Sequence, residues 1–141
     1  MTTQDKLWRR FVDEYDIDVP ESVIESELEY LKLAMRHNMQ YDRLTGGDAH
    51  FFPDRELDGQ QDELRTEALF QAKEPRVLKA VIAEQGITAS REELEAEAVA
   101  VAERQGSTLD MVKRFFGDDL AMLERDVLER KAIDWACDQM R

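Results

Sequence analysis

The segment that decides the fold is residues 16–44, DIDVPESVIESELEYLKLAMRHNMQYDRL. It opens with a break, because the residue before Pro20 is biased away from helical geometry. Pro20 suits the first helical position, and Glu21 follows where the helix dipole favours a negative charge. Apolar residues then recur every three or four positions, at Ile24, Leu28, Leu31, Met35 and Met39. This spacing predicts a helix over 20–44 that is roughly 36 Å long and buries a narrow stripe.

The remainder of the chain shows the same helical period, interrupted by only six glycines and three prolines. The sequence contains no alternating strand pattern, no hairpin signal and no internal repeat. The predicted helices are 4–15, 20–44, 54–85, 91–105, 108–116 and 118–140. The pattern therefore predicts an all-α fold, with long helices and short connections in one domain that covers 1–141.

Two local features define boundaries within this pattern. Ser90 and Glu93 form a capping box, in which each side chain satisfies the other residue's free backbone donor at the start of a helix. Pro75 lies inside the predicted helix 54–85, where it removes one backbone hydrogen bond and crowds the preceding turn. We therefore expect a kink or a break near residues 71–75.

Composition excludes several classes of protein. The 141 residues carry 32 acidic and 19 Lys or Arg side chains, a formal net charge of −13 that opposes nonspecific binding to nucleic acid. The charged fraction of 36% and the lack of a long apolar run argue against a membrane protein. The apolar fraction of 43% argues against a disordered tail. The N-terminus has no apolar segment of the secretory type, so we expect a cytoplasmic protein.

No catalytic, cofactor or metal pattern stands out. The chain has no phosphate-binding glycine loop and no serine-centred nucleophile elbow. His37 is interpreted as a surface histidine. Asp48, His50 and Asp54 could form a weak metal site, but their spacing matches no structural pattern and favours a solvated loop. The single cysteine, Cys137, allows no internal disulfide and is expected to be a small buried side chain. We predict no catalytic residue, no metal and no cofactor.

Methionine and phenylalanine are the residues best suited to an adaptable binding surface, because methionine is flexible and polarizable. Each of these side chains could equally fill the core. The candidate contacts are Met35, Met39, Phe51, Phe52, Met111, Phe115, Phe116, Met122 and Met140. Of the adjacent Phe115 and Phe116, we expect one to be buried and one to be partly exposed.

The order of the helix boundaries resembles that of the C-terminal domain of trigger factor, the bacterial ribosome-associated chaperone. The Val-Pro junction at 16–24, the Gly46-Gly47 loop and the return helix at 71–84 are similar to that family. The segments Ile87–Leu94 and Gly106–Phe116 follow in the matching order, so the resemblance covers about residues 5–140. Periplasmic parvulin-type chaperones contain a related helical domain, but the missing signal peptide favours the cytoplasmic family.

The resemblance implies an elongated helical body with arm-like projections that cradles unfolded or partly folded client proteins. The sequence lacks the family's Gly-Phe-Arg-type ribosome-binding signature and its β-rich prolyl isomerase domain. Ribosome docking and isomerase activity are therefore not expected of this chain. We expect a non-enzymatic domain, which is either a stand-alone protein or a domain excised from a longer one.

Three functional hypotheses follow, in decreasing order of preference. The first is a chaperone-like protein that binds apolar segments of unfolded or nascent polypeptides in a groove between helical arms. The second is an interaction or assembly factor for a folded partner, or a homodimer whose second copy fills the same groove. The third is an enzyme, which would need a titratable cluster that the sequence does not contain. Neither nucleic acid nor membrane is expected as a partner.

Overall fold

The computed structural model describes residues 1–46 and 53–141. Within these ranges the chain forms seven α-helices and no β-strands, which confirms the all-α fold class. The helices are α1 (Thr3–Glu14), α2 (Glu21–Thr45), α3 (Pro53–Gly59), α4 (Gln61–Glu84), α5 (Arg91–Gln105), α6 (Leu109–Phe116) and α7 (Ala121–Met140). No helix in the described part of the chain is long and apolar enough to cross a membrane.

The chain divides into two compact units. The α2 unit is Val12–Val77, and the α7 unit combines Met1–Phe11 with Leu78–Arg141. The sequence predicts one domain over 1–141. Within it, each of the two units has its own cluster of buried hydrophobic side chains.

The α2 unit is built on the apolar stripe that the sequence predicts. Pro20 has extended geometry with φ −57° and ψ 138°, and its carbonyl accepts from the N–H groups of Val23 and Ile24 at 3.0 and 3.3 Å. Gly46, in the left-handed conformation with φ 79°, ends α2 and donates its N–H to the Asp42 carbonyl. The buried side chains of this unit's core are Ile24, Leu28, Met39, Leu57, Leu64, Ala68 and Ala72.

The return helix is interrupted at a different place from the one predicted. The sequence predicts a kink or a break near residues 71–75, and of these the break does not occur, because α4 continues through Pro75. The interruption lies at Gln60, between α3 and α4, where the Gln60 N–H bonds to the Leu57 carbonyl at 3.1 Å. The Gln60 carbonyl in turn accepts from the Leu64 N–H at 2.9 Å and starts α4. Gly59 favours this site, since glycine is a poor helix former.

The α7 unit packs α5, α6 and α7 around a second core. The capping box is confirmed, with the Glu93 N–H on the Ser90 hydroxyl at 3.1 Å and the Ser90 N–H on the Glu93 carboxylate at 3.2 Å. Gly106 ends α5 in the left-handed conformation, as its position predicts. The buried side chains of this core are Leu94, Ala98, Ala102, Val112, Leu120, Leu123 and Val127.

Polar contacts at the start of α5 connect it to α7. The Lys131 ammonium group lies 2.8 Å from the Glu93 carboxylate and donates to the Thr88 carbonyl at 2.6 Å. The Arg130 guanidinium group donates to the Glu97 carboxylate at 2.7 Å. These contacts hold α5 against α7 and so fix the base of the α5–α6 hairpin.

The N-terminal part of α1 packs on α7 through aromatic rings. The Phe11 and Trp135 rings meet edge to face at 5.9 Å, and the Trp8 and Phe11 rings stack at 5.8 Å. Cys137 is buried beside the Gln4 carbonyl, as the sequence predicts for an unpaired cysteine in this helix.

Candidate functional site

Two of the predicted contacts belong to the core of the α2 unit. Met39 is buried, and Met35 is partly buried and packs against the same cluster. Their spacing from Ile24 and Leu28 places them on the stripe that α2 turns inward. Met39 therefore offers almost no surface to a partner, whereas Met35, which is only partly buried, stays a prediction.

The other predicted contacts differ in exposure. Phe51 and Phe52 lie outside the described residues. Met140 is half-buried, whereas Met122 is 65% exposed at the start of α7. Met111 and Phe115 are 59% and 78% exposed.

The structure brings Met111, Phe115 and Phe116 together at one pocket. Met111 and Phe115 lie four residues apart on α6, so they share its outer face, while Val112 and Phe116 turn towards the core. The Phe115 and Phe116 rings meet edge to face at 4.9 Å. One phenylalanine is thus exposed and its neighbour half-buried.

The pocket lies between the end of α5 and α6 and has a volume of about 400 Å³. Its lining is largely apolar, because five of the seven lining residues have apolar side chains. The lining residues are Val101, Gln105, Ser107, Met111, Val112, Phe115 and Phe116. A volume of this size is within the range of ligand pockets, and it holds one or two large side chains.

Local hydrogen bonds set the two ends of this short helix. The Thr108 hydroxyl accepts the Met111 N–H at 3.3 Å and begins α6. The Gly117 N–H bonds to the Lys113 carbonyl at 2.8 Å and ends it after eight residues. The Lys113 ammonium group lies 3.9 Å from the Glu95 carboxylate of α5, which draws α6 towards α5. We call this surface the α6 pocket.

A second exposed apolar surface was missed by the sequence analysis. Tyr30, Leu33, Tyr41 and Leu44 of α2 are 66%, 65%, 63% and 85% exposed. They lie on the face of α2 away from the core stripe, and we call them the α2 outer stripe. The signal was present in the sequence as intervals of three, four, four and three through His37.

A comparison with known protein families identifies the family of this chain. The family model described as bacterial trigger factor protein C-terminus matches residues 2–138. The chain belongs to the trigger factor C-terminal family. This confirms the resemblance that the helix boundaries indicated.

Individual trigger factors show the same relationship. The chain is 28% identical over 124 residues to trigger factor from Carboxydothermus hydrogenoformans, covering 88% of this chain and 29% of that protein. It is 24% identical over 141 residues to trigger factor from Agathobacter rectalis, covering 99% of this chain and 32% of that protein. The chain therefore spans about a third of the length of these relatives.

A solved structure supports the fold. Domains of trigger factor from Thermotoga maritima match with a TM-score of 0.64 at 20% sequence identity. The match covers 98% of this chain and 81% of that one. At this identity the likeness establishes the shared all-helical fold.

Two titratable groups in the α7 unit of this trigger factor C-terminal domain have shifted pKa values. The Lys131 ammonium group, and after it the Ser90 N–H, lower the pKa of the Glu93 carboxyl. Burial raises the pKa of the Cys137 thiol. The described residues contain no group of three or more His, Cys, Asp or Glu side chains that could hold a metal ion. Of the weak metal candidates, Asp48, His50 and the side chain of Asp54 fall outside this description.

Proposed function

We propose that this domain is a non-enzymatic, chaperone-type module that binds exposed apolar segments of unfolded or partly folded polypeptides at the α6 pocket. One observation carries the proposal: Met111 and Phe115 are largely exposed at the mouth of an apolar pocket, on a domain of a chaperone family. Exposed apolar side chains gathered at a concave surface are typical of interaction sites.

The energetics favour binding that is weak and reversible. Burying one client leucine or phenylalanine side chain contributes about 1.5–3 kcal/mol. Because ordering the client segment offsets part of this gain, one occupied pocket gives modest affinity. Methionine at the pocket mouth can repack around side chains of different shapes, which favours many clients over one.

The net charge of −13 supports the same function. Like charges keep copies of a protein with exposed apolar groups apart and in solution. The acidic surface also favours clients that carry Lys or Arg beside their apolar residues. The proposed module acts on polypeptides in the cytoplasm, and its proposed partners include no nucleic acid, membrane or cofactor.

Suppression of client aggregation tests this proposal. Wild-type protein in stoichiometric excess is expected to reduce light scattering by a chemically unfolded client as denaturant is diluted. The double variant Met111→Ser/Phe115→Ser is expected to lose most of this effect. Val99→Ser is the matched control, since Val99 is 42% exposed in the same unit and does not line the pocket.

Two results would contradict the proposal. The first is no suppression by the wild type at any excess. The second is equal suppression by the double variant and the control with unchanged helicity by circular dichroism. Copurification of one stoichiometric folded partner, without client holding, would instead support the assembly-factor hypothesis. An assay of prolyl isomerisation is expected to give the uncatalysed rate.

A further inference from the structure

The α6 pocket has a polar part at the turn that joins α5 to α6. Five of its seven lining residues are apolar, and the other two are Gln105 and Ser107. Gln105 is the last residue of α5, and Ser107 follows it after one glycine. Met111 and Phe115 line the same pocket from α6. A ligand in the pocket therefore has both an apolar surface and this polar turn within reach.

The hydrogen bonds that shape the turn come from its backbone and from Thr108. The N–H groups of Gly106 and Ser107 bond to two carbonyls near the end of α5, at 3.3 and 2.8 Å. The Thr108 hydroxyl begins α6. Within residues 1–46 and 53–141, the Gln105 carboxamide and the Ser107 hydroxyl bond to no other residue. Because Gln105 is also exposed, its carboxamide is available to a ligand.

A carboxamide has the same hydrogen-bonding groups as a polypeptide main chain. Its oxygen accepts and its NH₂ group donates, so one glutamine can bond to both the N–H and the C=O of one extended residue, as paired residues of two strands do. The Ser107 hydroxyl has only one hydrogen to donate and lacks this match. In an extended segment these main-chain groups are free, whereas in a helix they bond to each other. The carboxamide is therefore suited to a main chain that is not folded.

We propose that Gln105 is a specificity-determining residue of the α6 pocket: its carboxamide bonds to the main-chain N–H and C=O of the client residue whose apolar side chain occupies the pocket. This inference rests on the proposed function and adds the conformation of the client, which is extended. The contact suits clients of many sequences, because every residue except proline has both main-chain groups. An apolar residue within a helix or a paired strand has the side chain but lacks the free main-chain groups.

The expected contribution of Gln105 to affinity is modest, because a hydrogen bond to the client replaces hydrogen bonds to water. One such bond changes a dissociation constant by a factor of about 2–12, with about fivefold as a typical value. A substitution at Gln105 also changes the apolar surface of the pocket. The informative quantity is therefore the ratio of the dissociation constants of two matched ligands for the same protein.

An ester bond placed in a peptide ligand tests the hydrogen bond directly. The probe is a short unfolded peptide with a single phenylalanine among glycine, serine and lysine residues. The test ester replaces the amide bond before the phenylalanine and so removes its N–H donor, whereas the control ester replaces an amide bond at the far end of the peptide. Titrations followed by NMR chemical shifts measure the millimolar dissociation constants expected of one pocket.

The wild type is expected to bind the test ester about fivefold more weakly than the amide probe and the control ester. Gln105→Met keeps the length of the side chain but removes the carboxamide, so its dissociation constants for the three probes should be equal. Gln85→Met is the matched control, because Gln85 is exposed, precedes a left-handed glycine at a helix end and does not line the pocket. This control should keep the fivefold ratio, and circular dichroism checks that each variant retains its helices.

Four results would overturn the proposal. If the wild type binds the two esters equally well, the hydrogen bond is absent while the proposed function stands. If Gln105→Met keeps the fivefold ratio, another group makes the bond. Transferred nuclear Overhauser effects that show a helical bound peptide would contradict the extended client. If the wild type binds none of the probes, the proposed function itself fails, and the role of Gln105 fails with it.

Discussion

Leu120 lies between α6 and α7 in a backbone conformation that should make glycine more stable than alanine at this position. Its backbone is left-handed with φ 57° and ψ 25°, and its side chain is fully buried in the core of the α7 unit. This geometry costs an L-residue about 1–2 kcal/mol and costs glycine almost nothing. The structure holds Leu120 there because its side chain is part of the core.

The energetic consequences can be separated by two substitutions at this position. Leu120→Ala is expected to lose about 2–5 kcal/mol of unfolding free energy, since it removes a buried side chain and keeps the backbone strain. Leu120→Gly loses the same packing but relieves the strain. Because glycine also gains about 0.4–1 kcal/mol of freedom in the unfolded chain, it should be about 0.5–1 kcal/mol more stable than alanine here.

Leu123 supplies the matched control, because it is buried in the same core but lies within α7. There glycine should be about 1 kcal/mol less stable than alanine, as in an ordinary helix. Urea unfolding followed by tryptophan fluorescence measures both pairs, since Trp8 and Trp135 both lie in the α7 unit. If glycine is less stable than alanine by the same amount at position 120 as at position 123, the explanation of the α6–α7 junction is wrong.

Three further predictions concern the α7 unit. Ser90→Ala should lower its unfolding free energy by about 1 kcal/mol in the same urea assay, because the capping box loses its hydroxyl acceptor; an unchanged midpoint would contradict this. The Glu93 pKa is lowered in the folded state, so its contribution to stability is present above the ordinary value of 4.5 and is lost as pH falls through the folded pKa. Glu93→Gln should therefore reduce the loss of stability below pH 4.5, and identical pH profiles for both proteins would refute the role of Lys131. The Cys137 thiol should react with an aromatic disulfide reagent only when the unit opens, because it is buried with a raised pKa; rapid labelling in native buffer would contradict its placement.

The helix ends that could be predicted from the sequence are those set by residues close together in the chain. The start of α5 could be predicted because Ser90 and Glu93 satisfy each other's donors within one turn, and its end because Gly106 adopts a left-handed conformation. The break at Gln60 could not be placed, because the position of a break in a long helix depends on packing as well as propensity. Pro75 does not break α4, because the helix tolerates one missing backbone hydrogen bond. The left-handed Leu120 could not be predicted from the sequence, because leucine rarely adopts this conformation.

The candidate site was harder to predict than the fold. Methionine suits both cores and binding surfaces, so composition alone could not separate the buried Met39 from the exposed Met111. The separation came from geometry: Met39 lies on the inward stripe of α2, whereas Met111 and Phe115 face outward on a helix only eight residues long. The spacing of the α2 outer stripe is visible in the sequence, but its exposure is a property of the folded chain.

The measurement that tests the central claim most directly is the affinity of the α6 pocket for an unfolded polypeptide. A fluorescently labelled, permanently unfolded client can be titrated with wild type, Met111→Ser/Phe115→Ser and Val99→Ser, with anisotropy as the readout. Saturable binding by wild type and Val99→Ser, with at least tenfold weaker binding by the double variant, is the predicted result. Equal affinity of all three proteins, or no binding by the wild type, would contradict the assignment of this pocket to clients.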